Sequence, residues 1–182
     1  MTDEQLIQAS KGGDDDSFKQ LITRYESRVA STVIGMLGKC PEAEDVGQET
    51  FIRFYNNLKN FRGDANIGTY LTRIAINLSI NELKKRQRKS KIFFRNLSDD
   101  DFDVVDEKGQ NPFDDQKEIV QRAIQTLEPK FRSVVVLRLI DGYSTAETAE
   151  ILKLPIGTVL SRLARGQKKL KEILSPMLGG IK

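Results

Sequence analysis

Histidine is absent from this 182-residue chain, and cysteine occurs once, at Cys40. Without imidazole, the Ser-His and Cys-His nucleophile pairs and most metal constellations are unavailable. A lone cysteine allows neither an internal disulfide nor a cysteine-based zinc site. No apolar run reaches transmembrane length, and no signal peptide opens the chain. These absences predict a soluble, cytoplasmic protein without membrane insertion, and they leave no candidate metal or cofactor site and no catalytic constellation to name. The net charge is only +3, so the distribution of charge says more than its mean. Hydrophobic residues make up 38% and charged residues 30%, which suits small helical domains with wet surfaces better than one thick core. There is no internal repeat and no convincing strand; Val134-Val135-Val136 is strand-like but sits in a helical frame.

What is present is clearest from Ser144 to Leu174. Ser144 with Glu147 three residues on forms a capping box, in which each side chain satisfies a free backbone N–H at a helix start. Ala146, Ala149, Ile151 and Leu152 supply a short apolar helix, and Lys153-Leu154-Pro155 breaks it, because proline lacks an N–H and disfavours helical geometry before it. A second helix starts near Ile156. Val159, Leu163, Leu170 and Ile173 fall in one narrow arc, and Thr158, Ser161, Arg162, Arg165, Lys168 and Lys169 lie opposite. Short helix, turn and longer helix with one basic face is the helix-turn-helix plan, whose second helix enters the major groove.

From the N-terminus, Thr2 and Gln5 are placed to cap a helix ending at Gly12-Gly13, and Asp14, Asp15 and Asp16 supply negative charge at the start of the next. That helix is predicted from about Ser17 to Leu37, striped by Phe18, Leu21, Ile22, Tyr25, Val29 and Val33 and ended by Gly35 and Gly38. Cys40-Pro41 opens a helix to about Asn60, with proline at the tolerated first position. Ala43, Gly47, Thr50, Phe51, Phe54 and Leu58 form its core face; Asp45, Gln48, Glu49, Ile52 and Asn56 form the other. That second face reads equally as a solvated surface or as a docking surface for a basic partner, with Ile52 as its apolar contact.

Residues 61–68 read as a loop in which Asp64 and Asn66 are short polar groups able to contact a base. A helix from about Thr69 to Arg88 has a core stripe of Leu71, Ile74, Ala75 and Leu78, a polar stripe of Arg73, Asn77, Asn81, Lys84 and Arg88, and a second apolar strip of Ile76, Ile80 and Leu83. Its charge run (Lys84, Lys85, Arg86, Arg88, Lys89, Lys91), beside a polar loop and aromatics, suits nucleic-acid phosphates and exposed bases. An acidic stretch with Asp99, Asp100, Asp101, Asp103, Asp106, Glu107, Asp114 and Asp115 reads as a flexible linker and marks a domain boundary. Beyond it, Ile119, Val120, Ala123, Ile124 and Leu127 mark a helix ended at Pro129, and Phe131, Val134, Val135, Leu137 and Leu139 mark another, stopped by Asp141-Gly142. The expected fold is therefore all-α: domains at 1–95 and 117–182, joined by an acidic linker at 96–116.

In this layout the chain resembles bacterial sigma factors of the extracytoplasmic-function (ECF) group, over nearly its whole length. The segment from Ala43 to Phe51, AEDVGQETF, is similar to the region 2 helix that docks on the β′ clamp helices of RNA polymerase. The resemblance implies that Asp45, Gln48 and Glu49, with Ile52 and Asn56 on the same face, bind core polymerase. The segment from Phe61 to Asn77 resembles the part that reads and opens the −10 element, where a base is flipped into a snug polar pocket. It implies Asp64, Ala65, Asn66 and Ile67 around the pocket, Arg62 and Tyr70 among the other −10 contacts, and Arg73, Asn77, Lys84, Lys85 and Arg88 holding backbone and neighbouring bases. Tyr70-Leu71 stands where housekeeping factors carry paired tryptophans. Leu127 to Leu163 resembles region 4, implying contact with the β flap and −35 reading by Thr158, Ser161, Arg162, Arg165, Lys168 and Lys169. Two departures stand there: Leu160 replaces a usually basic residue, and Gly166-Gln167 replaces an alanine-arginine pair. Family members are often held by an anti-sigma factor, to which the Ile76, Ile80, Leu83 strip would offer a contact if it is not core. A stand-alone helix-turn-helix regulator is the competing reading; it needs neither the Asp45–Glu49 face nor a loop suited to an extruded base.

Overall fold

The computed structural model describes residues 1–63, 66–96 and 115–178, and these form helices without a strand. The expected acidic linker falls largely outside the described residues. Helix α1 (Asp3–Lys11) starts in the predicted capping box of Thr2 and Gln5, and α2 (Asp15–Leu37) starts on Asp14, whose carboxylate accepts from the Asp16 N–H. Helix α3 (Pro41–Asn57) runs into one 3₁₀ turn at Leu58–Asn60, and α4 spans Ile67–Asn96. The second half holds α5 (Asp115–Thr126), α6 (Pro129–Val135), a π turn (Val136–Ile140), α7 (Thr145–Leu152) and α8 (Ile156–Leu178). Three sequence expectations shift here, one being that α4 runs on to Asn96 and does not end near Arg88. Pro129 does not end a helix but opens α6 at its first turn. Helix α4 begins at Ile67, because the Asn66 carboxamide oxygen accepts the Gly68 N–H at 2.8 Å and caps it.

In the first half, α2 and α4 pack on each other and on α1 and α3. Phe18, Phe54, Phe61 and Tyr70 make a chain of ring contacts, with centroids 5.0 to 5.9 Å apart. Tyr25 is buried and bonds the Asp3 carboxylate; burial first, then that carboxylate, pushes its phenol up to about 12. Ile76 and Leu83 are buried and Ile80 packs on the core, so the second apolar strip of α4 is intramolecular core and is not available to an anti-sigma factor.

The two halves share one hydrophobic core. The last four carbonyls of a helix lack intrahelical partners, and α2 carries no basic residue in its last turn. Side chains from elsewhere satisfy them. Gln121 Nε2 donates to Ile34 O at 2.7 Å, Gln125 Nε2 to Gly35 O at 2.8 Å, Arg132 Nη1 to Met36 O at 2.7 Å, and Arg86 Nη1 to Leu37 O at 3.3 Å. Three of these four donors belong to the second half. Arg132 is buried, has no carboxylate partner among the described residues and is held by carbonyls, Leu127 O among them; burial lowers its pKa to about 10, which leaves it charged at neutral pH. Gly35 does not end α2, as the sequence predicts, but lies inside it. A Cβ there would stand 2.8 Å from a Val136 methyl, so glycine is what lets the halves approach.

Candidate nucleic-acid and polymerase interfaces

On α3 the predicted face is open. Asp45, Gln48, Ile52 and Asn56 are exposed, Ile52 by 53%, on a helix whose opposite side buries Ala43, Val46, Thr50 and Phe54. Glu49 is half-buried and pairs with Arg53 one turn on, at 2.8 Å. Tyr55, which sequence reasoning passed over, adds a second exposed apolar surface next to Asn56.

The loop before α4 opens on a pocket lined by Asn57, Asn60, Phe61, Arg62, Gly63, Tyr70 and Arg73. Its floor is aromatic: Phe61 and Tyr70 meet edge to face with centroids 5.0 Å apart. Amides and arginines form the rest, so the pocket pairs an apolar platform with hydrogen-bonding groups, as a flipped base requires. Arg62 and Tyr70, implied among the −10 contacts, and Arg73, implied as a backbone contact, line it, whereas Asn66 and Ile67, expected around the base, do not. Asn57 and Asn60 were missed; the amide-rich run before Phe61 was the available signal. Ile67 is a correction. It is 3% exposed, with its side chain in the core, because it is the first apolar residue of α4's buried stripe. Asp64 and Ala65 lie outside the described residues, and Asn66 is spent on the helix cap. Along α4, Asn77, Lys84, Lys85 and Arg88 are exposed, while Arg86 turns inward to Leu37 O, to Glu42 at 3.2 Å and to Cys40 Sγ at 3.0 Å. Arg73 crosses to the other half: its Nη2 donates to both Glu150 O and Glu150 Oε1 at 3.2 Å.

The helix-turn-helix is built as the sequence predicts. Ser144 N donates to the Glu147 carboxylate at 2.8 Å, and Glu147 N to Ser144 Oγ at 3.2 Å. Ala146, expected on the apolar side, is exposed, and Thr148 is buried instead. Lys153 makes the break, in a left-handed conformation at φ 53°. Val134, Ala149 and Val159 form the small core that sets α7 against α8. On α8, Ser161, Arg165 and Lys168 face solvent, and Thr158 and Arg162 sit at its margins. Lys169 is tied down, pairing with Glu128 at 2.9 Å and lying 4.9 Å from the Phe131 ring. Hydrogen bonds from Lys130 and Lys169 hold the Glu128 carboxyl down at about 2. Gly166 has a packing reason: a Cβ there would stand 2.8 Å from a Val135 methyl, so alanine does not fit without movement of α6.

An open α3 face, a polar pocket beside a basic helix and a helix-turn-helix define a helical DNA-binding protein of two domains. Residues 21–89 match the model of Sigma-70 region 2, and residues 117–170 match that of Sigma-70, region 4. The chain is 32% identical to the RNA polymerase sigma-H factor of Pseudomonas aeruginosa, covering 97% of this chain and 95% of that one. It is 32% identical to the ECF RNA polymerase sigma factor SigW of Bacillus subtilis, covering 94% and 96%. The sigma factor RpoE of Bartonella quintana, solved in complex with the anti-sigma factor NepR, superposes with a TM-score of 0.68 at 23% identity, covering 87% of this chain and 96% of that one, a likeness of fold. The chain belongs to the sigma-70 family of RNA polymerase sigma factors, in its ECF group.

Proposed function

We propose that this chain is a dissociable subunit of RNA polymerase that directs promoter-specific initiation. Asp45, Gln48, Glu49, Ile52 and Asn56 bind the β′ clamp helices of core enzyme. Arg62, Tyr70 and Arg73, with Asn77, Lys84, Lys85 and Arg88 along α4, open and read the −10 element, and Asp64, Ala65 and Asn66 belong to the same loop. Thr158, Ser161, Arg162, Arg165 and Lys168 read the −35 element, while region 4 rests on the β flap. Residues 1–95 and 117–182 act as the two domains and 96–116 as their tether. The role needs no catalytic group, and it is exercised in the cytoplasm, where promoter and polymerase are. An anti-sigma factor is a proposed regulator, since the Bartonella relative was solved with one.

The observation that carries this reading is the solvent-exposed, mixed acidic and apolar face of α3, which a protein that only binds duplex DNA has no use for. Run-off transcription with core polymerase on a fragmented genomic pool tests it. The protein should yield discrete start sites, and Glu49→Lys should weaken core binding about tenfold by reversing a charge in the contact. No start sites, or a variant that binds core normally, contradicts it.

A further inference from the structure

Helix α8, the proposed recognition helix, carries two exposed apolar residues in its first two turns beside the polar Thr158 and Ser161. Ile156 is 54% exposed and Leu160 51% exposed. At about 100° per residue the two side chains lie about 40° apart, forming one apolar edge. Next to them around the helix come Gly157, Ser161 and Ala164, all exposed and small, then Arg165 on the far edge. Helix α8 packs against α5, α6 and α7 through Val159, Leu163 and Leu170, so neither apolar residue serves the core. The pair sits at the N-terminal end of a helix whose other edge is cationic, within the part of a helix-turn-helix that meets base edges.

The geometry points to a specific occupant: the 5-methyl groups of thymine in the −35 element, packed against Leu160 and Ile156. Three features carry this. Thymine is distinguished in the major groove by one apolar group, its methyl, and apolar side chains read it. The small residues at the centre of the exposed face let the helix come close enough for Leu160 to touch a base edge. Arg165 and Lys168 place the phosphate backbone beside the apolar edge, so the charge of the helix matches duplex DNA and not an apolar protein segment. The inference rests on the proposed sigma role and deepens it by naming what the −35 helix reads.

The test uses the full chain assembled with core polymerase. Duplexes randomised over the upstream element are selected for holoenzyme binding, and each thymine of the enriched sequence is then replaced singly by deoxyuridine, which removes only the methyl. Wild-type holoenzyme should lose about fourfold in affinity at one or two of these positions, the scale of one buried methyl group. Leu160→Ala should bind the thymine duplex correspondingly more weakly and lose the thymine-uracil difference. Leu160→Lys should also lose that difference while steepening the salt dependence by about one unit. An enriched −35 element at which every deoxyuridine is neutral overturns the proposal alone, as does a thymine-uracil ratio that Leu160→Ala leaves unchanged, which would assign the apolar pair to a protein contact. A holoenzyme that enriches no upstream element overturns the sigma reading together with it.

Discussion

The two proposed nucleic-acid faces are treated differently by the same fold. The proposed −10 face is partly engaged: Arg73, in the wall of its pocket, is bonded to Glu150 of α7. One position before it, Thr72 shares a buried 2.8 Å hydrogen bond with Tyr143. The recognition helix is bare, turning Ser161, Arg165 and Lys168 to solvent. The difference follows from which side of the second domain docks. It presents α5, the π turn and α7 to α2 and α4, and α8 is on the far side. The geometry of a promoter then sets a demand. Elements centred near −10 and −35 lie about 25 base pairs apart, about 85 Å at 3.4 Å per pair. On the proposed sites, two domains sharing one core do not span that distance, so the proposed function predicts that the halves separate on a promoter and free Arg73 as they do.

Breaking the shared core should have the largest effect. Gly35→Leu drives a side chain into Val136, with Cβ alone 2.8 and 3.0 Å from its methyls. Overpacking of this kind costs about 1–3 kcal/mol. Small-angle scattering should show an expanded molecule while circular dichroism keeps its helix content; an unchanged radius would mean the interface absorbs the bulk. The two faces can next be separated from each other. Arg165→Ala should weaken −35 duplex binding and flatten its salt slope by about one unit if the guanidinium meets a phosphate. Arg73→Ala should leave that slope alone and lower −10 selectivity, and equal effects of the two on duplex binding would erase the distinction.

The smallest effect is a pH dependence of the interface. Asp141 accepts from Thr32 Oγ1 at 2.7 Å and Ser31 Oγ at 2.9 Å. Burial outweighs these bonds and raises its pKa. A carboxyl that binds its proton more tightly folded than unfolded stabilises most below the ordinary value of 3.8, and that contribution is lost as pH rises through the raised value. Glu128 acts in the opposite sense: its contribution is full above about 4.5 and is lost as pH falls towards about 2. Asp141→Asn should therefore flatten the fall in interdomain stability on going up from acid to neutral pH. A thermal midpoint whose pH profile matches the wild type would remove Asp141 from the interface energetics.

What was legible in the sequence was local. Both capping boxes, the acidic start of α2, Pro41 and the break before α8 are decided within four residues, and each stands where its residues place it. The α3 face and the basic stripe of α4 were legible because 3.6-residue periodicity fixes them. What was hidden depends on distant partners. Gly35 reads as a stop signal until Val136 is known to lie against it, and Gly166 reads as lost helix propensity until Val135 does. Ile67 looks like a loop residue because the cap that starts α4 is an asparagine side chain bonding two residues on. Arg132 gives no sign in sequence that it will be buried against α2, since its charge is met by Met36 O of that helix together with carbonyls of Gln125 and Leu127 that the fold brings around it.

The separation of the halves can be measured directly. Lys39 and Glu118 line one groove between the end of α2 and α5, and neither is among the proposed DNA or polymerase contacts, so fluorophores at Lys39→Cys and Glu118→Cys in a Cys40→Ser background report the interface. Energy transfer should be high in the free protein and fall to that of a separation of many tens of ångströms in the promoter-bound holoenzyme. Transfer that stays high in a holoenzyme that initiates transcription would contradict a two-point grip.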